Sequence, residues 1–322
     1  MIHMNLNENS FVKQKYYRYP DASYSEIRNL IRKKYNLNNA DVLLGNGSTE
    51  IISAIFLWAY LQKKKIFYPW PSYILYHELT QLYNADVTCI PMDIESWNVD
   101  TLISTVTKDS LLLLCNPNNP TGTFLKKRIV RKLISNLPTT TTVLIDEAYI
   151  EYISTDDEIN GSVNEVEKDS NVIVVRTFSK YYGLAGLRIG YALLSKEFYQ
   201  CLRPFLQLWN VSTPAVEAAI KCLSPSPRYK EGKQDMIKSR KQLQEILCTN
   251  GFNVLPSVTN FLCFTHPKIK DYVDYWDCKG FMINKLLPYQ DSQLHGYIRL
   301  SIEHNEVMKK FYQSINDIGR IL

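Results

Sequence analysis

Between Asn171 and Tyr191 the chain reads NVIVVRTFSKYYGLAGLRIGY, an apolar, β-like run that stops at Ser179-Lys180. A loop with Gly183, Gly186, Gly190 and one arginine, Arg188, follows it. An amine at a strand end can bond covalently to a carbonyl, and a guanidinium with hydroxyls beside it can hold a phosphate. Two further apolar runs end in polar sets. SLLLLC leads into Asn116-Pro117-Asn118-Asn119-Pro120-Thr121-Gly122, and TVLI leads into Asp146-Glu147-Ala148-Tyr149. Gly45-Asn46-Gly47-Ser48 precedes a helix predicted to start at Ser48 or Thr49, where small residues let backbone N–H groups face an anion. Singly, each feature has an ordinary reading. Lys180 is then a solvated lysine, Asp146-Glu147 a helix cap or a metal-binding pair, Tyr73 and Tyr149 packing residues, and 119–122 a turn. Their joint occurrence after three successive predicted strands points instead to one site. An amine, a carboxylate, a phenol, an amide, hydroxyls with an arginine and a helix N-terminus form the set that pyridoxal phosphate requires. A carboxylate keeps the pyridine nitrogen protonated, so the ring can accept electrons from the substrate Cα. The lysine serves as anchor and then as general base. The glycine spacing fits neither the P-loop nor the dinucleotide fingerprint, which leaves a nucleotide-binding reading without its loop.

The elements that must carry these residues follow from the hydrophobic pattern. Strands are predicted at 66–68, 87–91, 110–116, 142–146 and 171–178, and the last three lack polar alternation, as expected of parallel strands covered on both faces. Helices are predicted at 25–35, from 48 or 49 to about 62, at 71–83 and at 125–136. Alternating strand and helix of this kind gives an α/β layered domain with a mainly parallel sheet, whose sites lie at the carboxyl ends of the strands. After Leu194 helical patterns dominate to 250. Short strands near 261–265, 281–284 and 297–302 and a final helix over 305–321 then read as a smaller α+β domain. The polar stretch 156–170 reads as an exposed excursion.

Bulk composition narrows the function classes. The chain has 322 residues, a net charge of +5 and scattered basic residues, with short runs such as 63–65 and 126–128 read as solvated element ends. Nucleic acid is therefore not expected as a partner. Seven cysteines form no C-x-x-C pair, which fits free thiols in a reducing compartment. The N-terminus lacks the apolar core of a signal peptide. The longest apolar run, IISAIFLWAYL, is too short to span a bilayer. A cytoplasmic protein without a membrane partner is expected, and no metal site is predicted.

NPNNPTG, IDEAYIEY and RTFSKYYGLAGLRIGY, in this order and spacing, resemble class I/II aminotransferases of PLP fold type I. More narrowly they resemble the histidinol-phosphate aminotransferase group and its relative, threonine-phosphate decarboxylase. The likeness runs from LNEN at 6–9 and YRYPD at 17–21 to YIRLSI at 297–302. It implies pyridoxal 5′-phosphate as cofactor, amino-acid or amino-phosphate and 2-oxo acid substrates, and a homodimer with shared active sites. It implies that Lys180 bonds the cofactor aldehyde, Asp146 pairs with the pyridine nitrogen, and Tyr149 and Asn119 hydrogen-bond the 3′-oxygen. Thr177, Ser179 and Arg188 would hold the phosphate with the N–H groups of Gly47 and Ser48. Tyr73 would stack on the ring, Tyr19 would reach the neighbouring subunit's phosphate, and Arg299 would clamp a substrate carboxylate or phosphate. Two departures stand out. Asn284 occupies a place where relatives carry a second anion-binding arginine, with Lys285 beside it. Trp209, in LWNVS, is closer to the decarboxylase branch, so a decarboxylase stays an alternative, as does a non-catalytic PLP-binding protein. The expected division is a large cofactor domain over 25–208 and a small domain from 1–24 and 209–322.

Overall fold

The computed structural model describes residues 6–12, 14–154 and 161–319. Seven strands make the central sheet: β1 (Ala40–Gly45), β2 (Lys65–Trp70), β3 (Val87–Pro91), β4 (Ser110–Cys115), β5 (Thr142–Asp146), β6 (Val172–Thr177) and β7 (Gly190–Ser195). Their order is β1-β7-β6-β5-β4-β2-β3. β2 through β6 pair in parallel, and β7 runs antiparallel to both of its neighbours, β6 and β1. The unbroken apolar runs have their expected cause. Successive side chains point to opposite faces, and both faces are covered. Val143, Ile145, Val172 and Val174 pack with Ile27, Ile31, Val130 and Val163 on one face. Leu144, Ile173 and Val175 pack with Ile51, Ile55, Tyr76 and Leu202 on the other. Each such buried aliphatic side chain contributes about 1.5–3 kcal/mol, more than the roughly 1 kcal/mol net of a ladder hydrogen bond, so burial on two faces decides where the strands lie.

A second sheet contains β8 (Asn253–Val254), β9 (Phe261–Thr265) and β10 (Ile298–Ser301), antiparallel in the order β10-β9-β8. The helices Pro227–Thr249, Ile269–Cys278 and Asn305–Gly319 cover it through Leu243, Leu247, Trp276, Phe311 and Ile315. Val258 N–H donates to Gly122 O at 3.1 Å, tying this unit to the loop after β4. Among the described residues no helix is long and apolar enough to cross a membrane.

Four expectations need correction. The run 281–284 is not a strand. Its strand pairing with the small sheet is a single bridge, Asn284 to Arg299, while Ile283 packs into that sheet's core and Met282 lies fully exposed. The stretch 156–170 is not a plain excursion. Residues 156–160 lie outside the described residues, but Val163–Lys168 is a helix with Val163 and Val166 buried against the sheet. Glu167 on that helix accepts the N–H groups of Asn38, Asn39 and Ala40, fixing the start of β1. Gly190 begins a strand rather than closing a loop, and β1 itself carried no periodic signal strong enough to be predicted. The helix expected over 71–83 begins only at Ile74, because Tyr73 is extended at its N-cap.

Candidate active site

The carboxyl ends of β4, β5 and β6 open on one cavity of about 210 Å³, lined by Ser48, Tyr73, Asn119, Asp146, Lys180 and Arg188 among others. The loop after β4 is pinned by its own asparagines. Asn116 exchanges side-chain hydrogen bonds with the backbone of Leu125 at 2.8 and 2.9 Å. Asn118 donates to Pro71 O at 3.1 Å and accepts from Ser72 Oγ at 2.9 Å. Asn119 is thereby left to face the cavity, and Arg299 Nη1 donates to its Oδ1. Arg299 also lies over the Phe261 ring, 5.2 Å from its centroid.

Asp146 ends β5 and is buried. Its Oδ1 accepts from Ala148 N–H at 3.1 Å and its Oδ2 from Tyr76 Oη at 3.4 Å. No lysine or arginine among the described residues lies within ion-pair distance of it. Burial is the main cause that pushes its carboxyl up to about 6, against the lowering by the Ala148 N–H and the Tyr76 hydroxyl. Across the cavity the Lys180 amine sits 5.6 Å from the Tyr149 ring centroid. Part of Lys180 is solvent-exposed, because the residue borders an open cavity. Desolvation first, then the charges of Arg299 and Arg188, pull its amine below the ordinary lysine value, and Asp146 partly offsets them. Tyr149 is buried, which pushes its phenol up, and packs edge-on against Phe261.

Three separate elements build the cup beside Lys180. The Gly47–Leu61 helix presents its N-terminus, with Gly47 at φ +77°. Arg188 adopts the left-handed conformation (φ 51°), and its Nη1 donates to Ser179 Oγ at 3.3 Å and Ala185 O at 3.1 Å. Ser179 N–H donates to Thr177 Oγ1 at 3.1 Å. Gly47 is set by its positive φ, and Gly190 by close approach to backbone rather than by a turn. A Cβ on Gly47 would stand 2.5 Å from Arg188 Nη2, and one on Gly190 would stand 2.5 Å from Ser48 N.

Of the residues singled out in the sequence, Ser48, Tyr73, Asn119, Asp146, Tyr149, Thr177, Ser179, Lys180 and Arg188 line this one cavity, with Gly47 under Arg188. Arg299 reaches it through Asn119. Asn284 does not line it. Its backbone bridges Arg299, and its Oδ1 accepts from Leu286 N–H at 2.9 Å. Lys285 turns to Asp277 at 2.6 Å. Tyr19 stacks on Trp209, ring centroids 4.3 Å apart, in a neighbouring open cleft of about 820 Å³ that also touches Arg188. Sequence reasoning missed Tyr76, Thr49 and Cys115. Tyr73, the extended N-cap, and Tyr76, in the first helical turn, meet edge to face with ring centroids 5.7 Å apart, and the sequence pattern held no signal for Tyr76.

The donor set fits pyridoxal phosphate on the structure's own terms. Among the described residues the buried Asp146 carboxylate has no ion-pair partner, an amine held below the ordinary lysine value lines the same cavity, and the cup of N–H groups, hydroxyls and guanidinium leaves no room for a methyl between Gly190 and Ser48 N. Comparison with known proteins agrees. Residues 5–313 match the family model for aminotransferase class I and II. Histidinol-phosphate aminotransferase 2 of Pasteurella multocida is 29% identical over 304 residues, covering 94% of this chain and 82% of that protein. An aromatic amino acid aminotransferase of Cutibacterium acnes is 32% identical over 259 residues, covering 80% and 73%. Among solved structures, the histidinol-phosphate aminotransferase of Sinorhizobium meliloti in complex with pyridoxal-5′-phosphate shares the fold at a TM-score of 0.84. It is 24% identical, with 94% of this chain and 83% of that one covered. The mainly parallel sheet flanked by helices is that of PLP fold type I, and the chain belongs to the class I and II aminotransferases. It is a pyridoxal-phosphate-dependent transaminase, acting on amino and 2-oxo acid substrates.

Proposed function

We propose that the protein transfers an amino group from an amino acid or a histidinol-phosphate-like amino-phosphate to a 2-oxo acid, with Lys180, Asp146 and Tyr149 as its catalytic residues. The observation that carries this reading is the convergence of the Lys180 amine, the Asp146 carboxylate and the Arg188 cup on one cavity. When bound there, pyridoxal phosphate supplies an aldehyde for the amine and a ring that draws electrons from the substrate Cα. Asp146 would keep the pyridine nitrogen protonated, and its position in the dry wall of the cavity strengthens that interaction. Tyr149 and Asn119 would fix the ring's 3′-oxygen while Tyr73 packs on its face. Gly47, Ser48, Thr177, Ser179 and Arg188 would hold the phosphate. Lys180, whose amine burial and the charges of Arg299 and Arg188 hold below the ordinary lysine value, would take the Cα proton and return it.

Arg299 would clamp the substrate's anionic group. Two observations support one such cation here: Lys285 is engaged by Asp277, and the Asn284 side chain caps Leu286. A donor with one anionic head, a carboxylate or a phosphate in its place, suits this arrangement. Trp209, the feature closer to the decarboxylase branch, stacks on Tyr19 outside the cavity and lends decarboxylation no support. Leu187, Leu208 and Tyr19 are exposed around the open cleft next to Arg188, which supports a homodimer in which Tyr19 reaches the partner's phosphate. The separate cores of the two sheets support a division into a large and a small domain, the large one expected over 25–208, although Val211, Ala215, Ala219 and Cys222 beyond that boundary pack into the large sheet's core. Seven unpaired cysteines support a cytoplasmic location.

The test is a set of half-reactions. The loaded enzyme is mixed with histidinol phosphate, threonine phosphate or aromatic amino acids, and the cofactor absorbance and products are followed. Conversion of the donor to its oxo form, lost in Lys180→Ala, is expected. Carbon dioxide release without an oxo product would overturn the reading.

A further inference from the structure

Behind the cavity lies a fully buried ion pair. Arg176 and Glu147 have side chains 1% and 0% exposed. Arg176 donates from Nε at 3.0 Å and Nη2 at 2.7 Å to Glu147 Oε2, and from Nη1 at 2.8 Å to Tyr35 Oη. The Tyr35 and Tyr191 hydroxyls are 2.8 Å apart. Glu147 Oε1 accepts from Ser162 N–H at 2.6 Å, and a Cβ on Gly161 would lie only 2.2 Å from it. Taking two charges out of water costs several kcal/mol per ion, so such a pair is weak evidence for a gain in stability. Its place in the sheet gives it a different use.

Alternation settles that place. Ile145 and Val174 belong to the core on one face, Leu144 and Val175 to the core on the other. Glu147 and Arg176 continue the first set, while Asp146 and Thr177 continue the second, where the cavity opens. Glu147 N–H donates to Val175 O at 2.8 Å, so the ion pair links β5 to β6 where their ladder ends. It stands back to back with Asp146 and Thr177. The carbonyl of Arg176 is also 2.9 Å from where a Gly190 Cβ would be, and Ser48 N is 2.5 Å from the same point. A shift of Arg176 therefore reaches the helix end of the cup as well.

We propose that Arg176 and Glu147 are positioning residues for the cofactor site. They lock the carboxyl ends of β5 and β6 from the far face, so that Asp146, Thr177 and the Lys180 loop keep their spacing. This rests on the roles proposed above for those three residues. Arg176→Lys keeps the charge and loses the fork, and Glu147→Gln keeps the shape and loses the charge. Tyr35→Phe removes the third partner of Arg176, together with the hydroxyl contact to Tyr191, and leaves the ion pair itself in place. Asp41→Asn breaks another ion pair, Arg28 to Asp41 at 2.8 Å, near the start of β1 and away from the cavity.

Each purified variant is titrated with pyridoxal phosphate, and the pH midpoint of the bound cofactor's absorbance change is measured beside the Tm of the cofactor-free protein. Arg176→Lys and Glu147→Gln are expected to weaken cofactor binding by roughly ten- to hundredfold, the scale of a small misplacement in a site, and to move the midpoint. Asp41→Asn is expected to lower Tm and move neither. If the two variants lose only Tm, with cofactor affinity and midpoint unchanged, the pair is structural and the proposal fails. Should both misfold, Tyr35→Phe decides: a moved midpoint sustains the proposal and an unmoved one overturns it. Lys180→Ala separates the two levels, because a pH-dependent band surviving there would count against the site assignment instead.

Discussion

At the scale of single residues, Asp146 shows how a site is set against the fold that holds it. Burial raises its carboxyl from 3.8 to about 6 in the cofactor-free protein. Folding then favours the protonated form. Its contribution to stability is full below about pH 4 and lost as pH rises through about 6, a swing of roughly 3 kcal/mol. Thermal unfolding of cofactor-free wild type and Asp146→Asn across this range should diverge as pH rises, with the wild type falling. Parallel curves would show that Asp146 does not titrate this way. Arg299 gives a second residue-level expectation. Its fork lies between Asn119 and Phe261, so Arg299→Lys should raise KM for donor and oxo acid by roughly tenfold with a smaller change in kcat. Lys180, Asp146 and Asn119 were legible because each follows a strong apolar run. Tyr76 was not, because its hydroxyl meets Asp146 only after a helix and two strands have been placed.

At the scale of elements, the cup depends on how closely β7 passes the Gly47–Leu61 helix. Gly190→Ala would put a methyl 2.5 Å from Ser48 N, where backbone must yield. Cofactor affinity measured by titration should fall, with the secondary structure retained. Unchanged affinity would mean that the helix end does not hold the phosphate. Glu167 offers the contrasting case. Its carboxylate binds three N–H groups at the start of β1, at the other end of that strand from Gly45. Glu167→Ala should cost roughly 1–3 kcal/mol in denaturant unfolding and leave cofactor affinity intact. β4, β5 and β6 could be read because burial on both faces leaves an uninterrupted apolar signature. β7 was hidden because it begins at the last of three loop glycines, Gly190, which is set by contact with Ser48, and 281–284 looked like a strand although only Asn284 finds a pairing partner.

At the scale of the whole molecule, the fold class was legible from the alternation of strand and helix, since each unit must bury two faces of a sheet. A homodimer is implied only by the resemblance. Leu208 and Leu187 stand exposed beside a cleft that shares Arg188 with the cavity. Leu208→Glu should shift the protein to monomer in light scattering and weaken cofactor binding together. A variant that stays dimeric, or a monomer that binds cofactor normally, would contradict the shared site. The reversed direction of β7 has one more consequence. Because β7 returns beside β6, the loop with Lys180 and Arg188 is closed by neighbours in the chain, whereas the Gly47 helix end arrives only when β1 joins β7 from far upstream. Short closures are entropically cheaper and quicker than long ones. A refolding chain is therefore expected to bring amine and guanidinium together before β1 zips onto the sheet's edge and adds the Gly47 helix end, so that cofactor captured during refolding should trail the formation of the β6–β7 pair in a stopped-flow experiment.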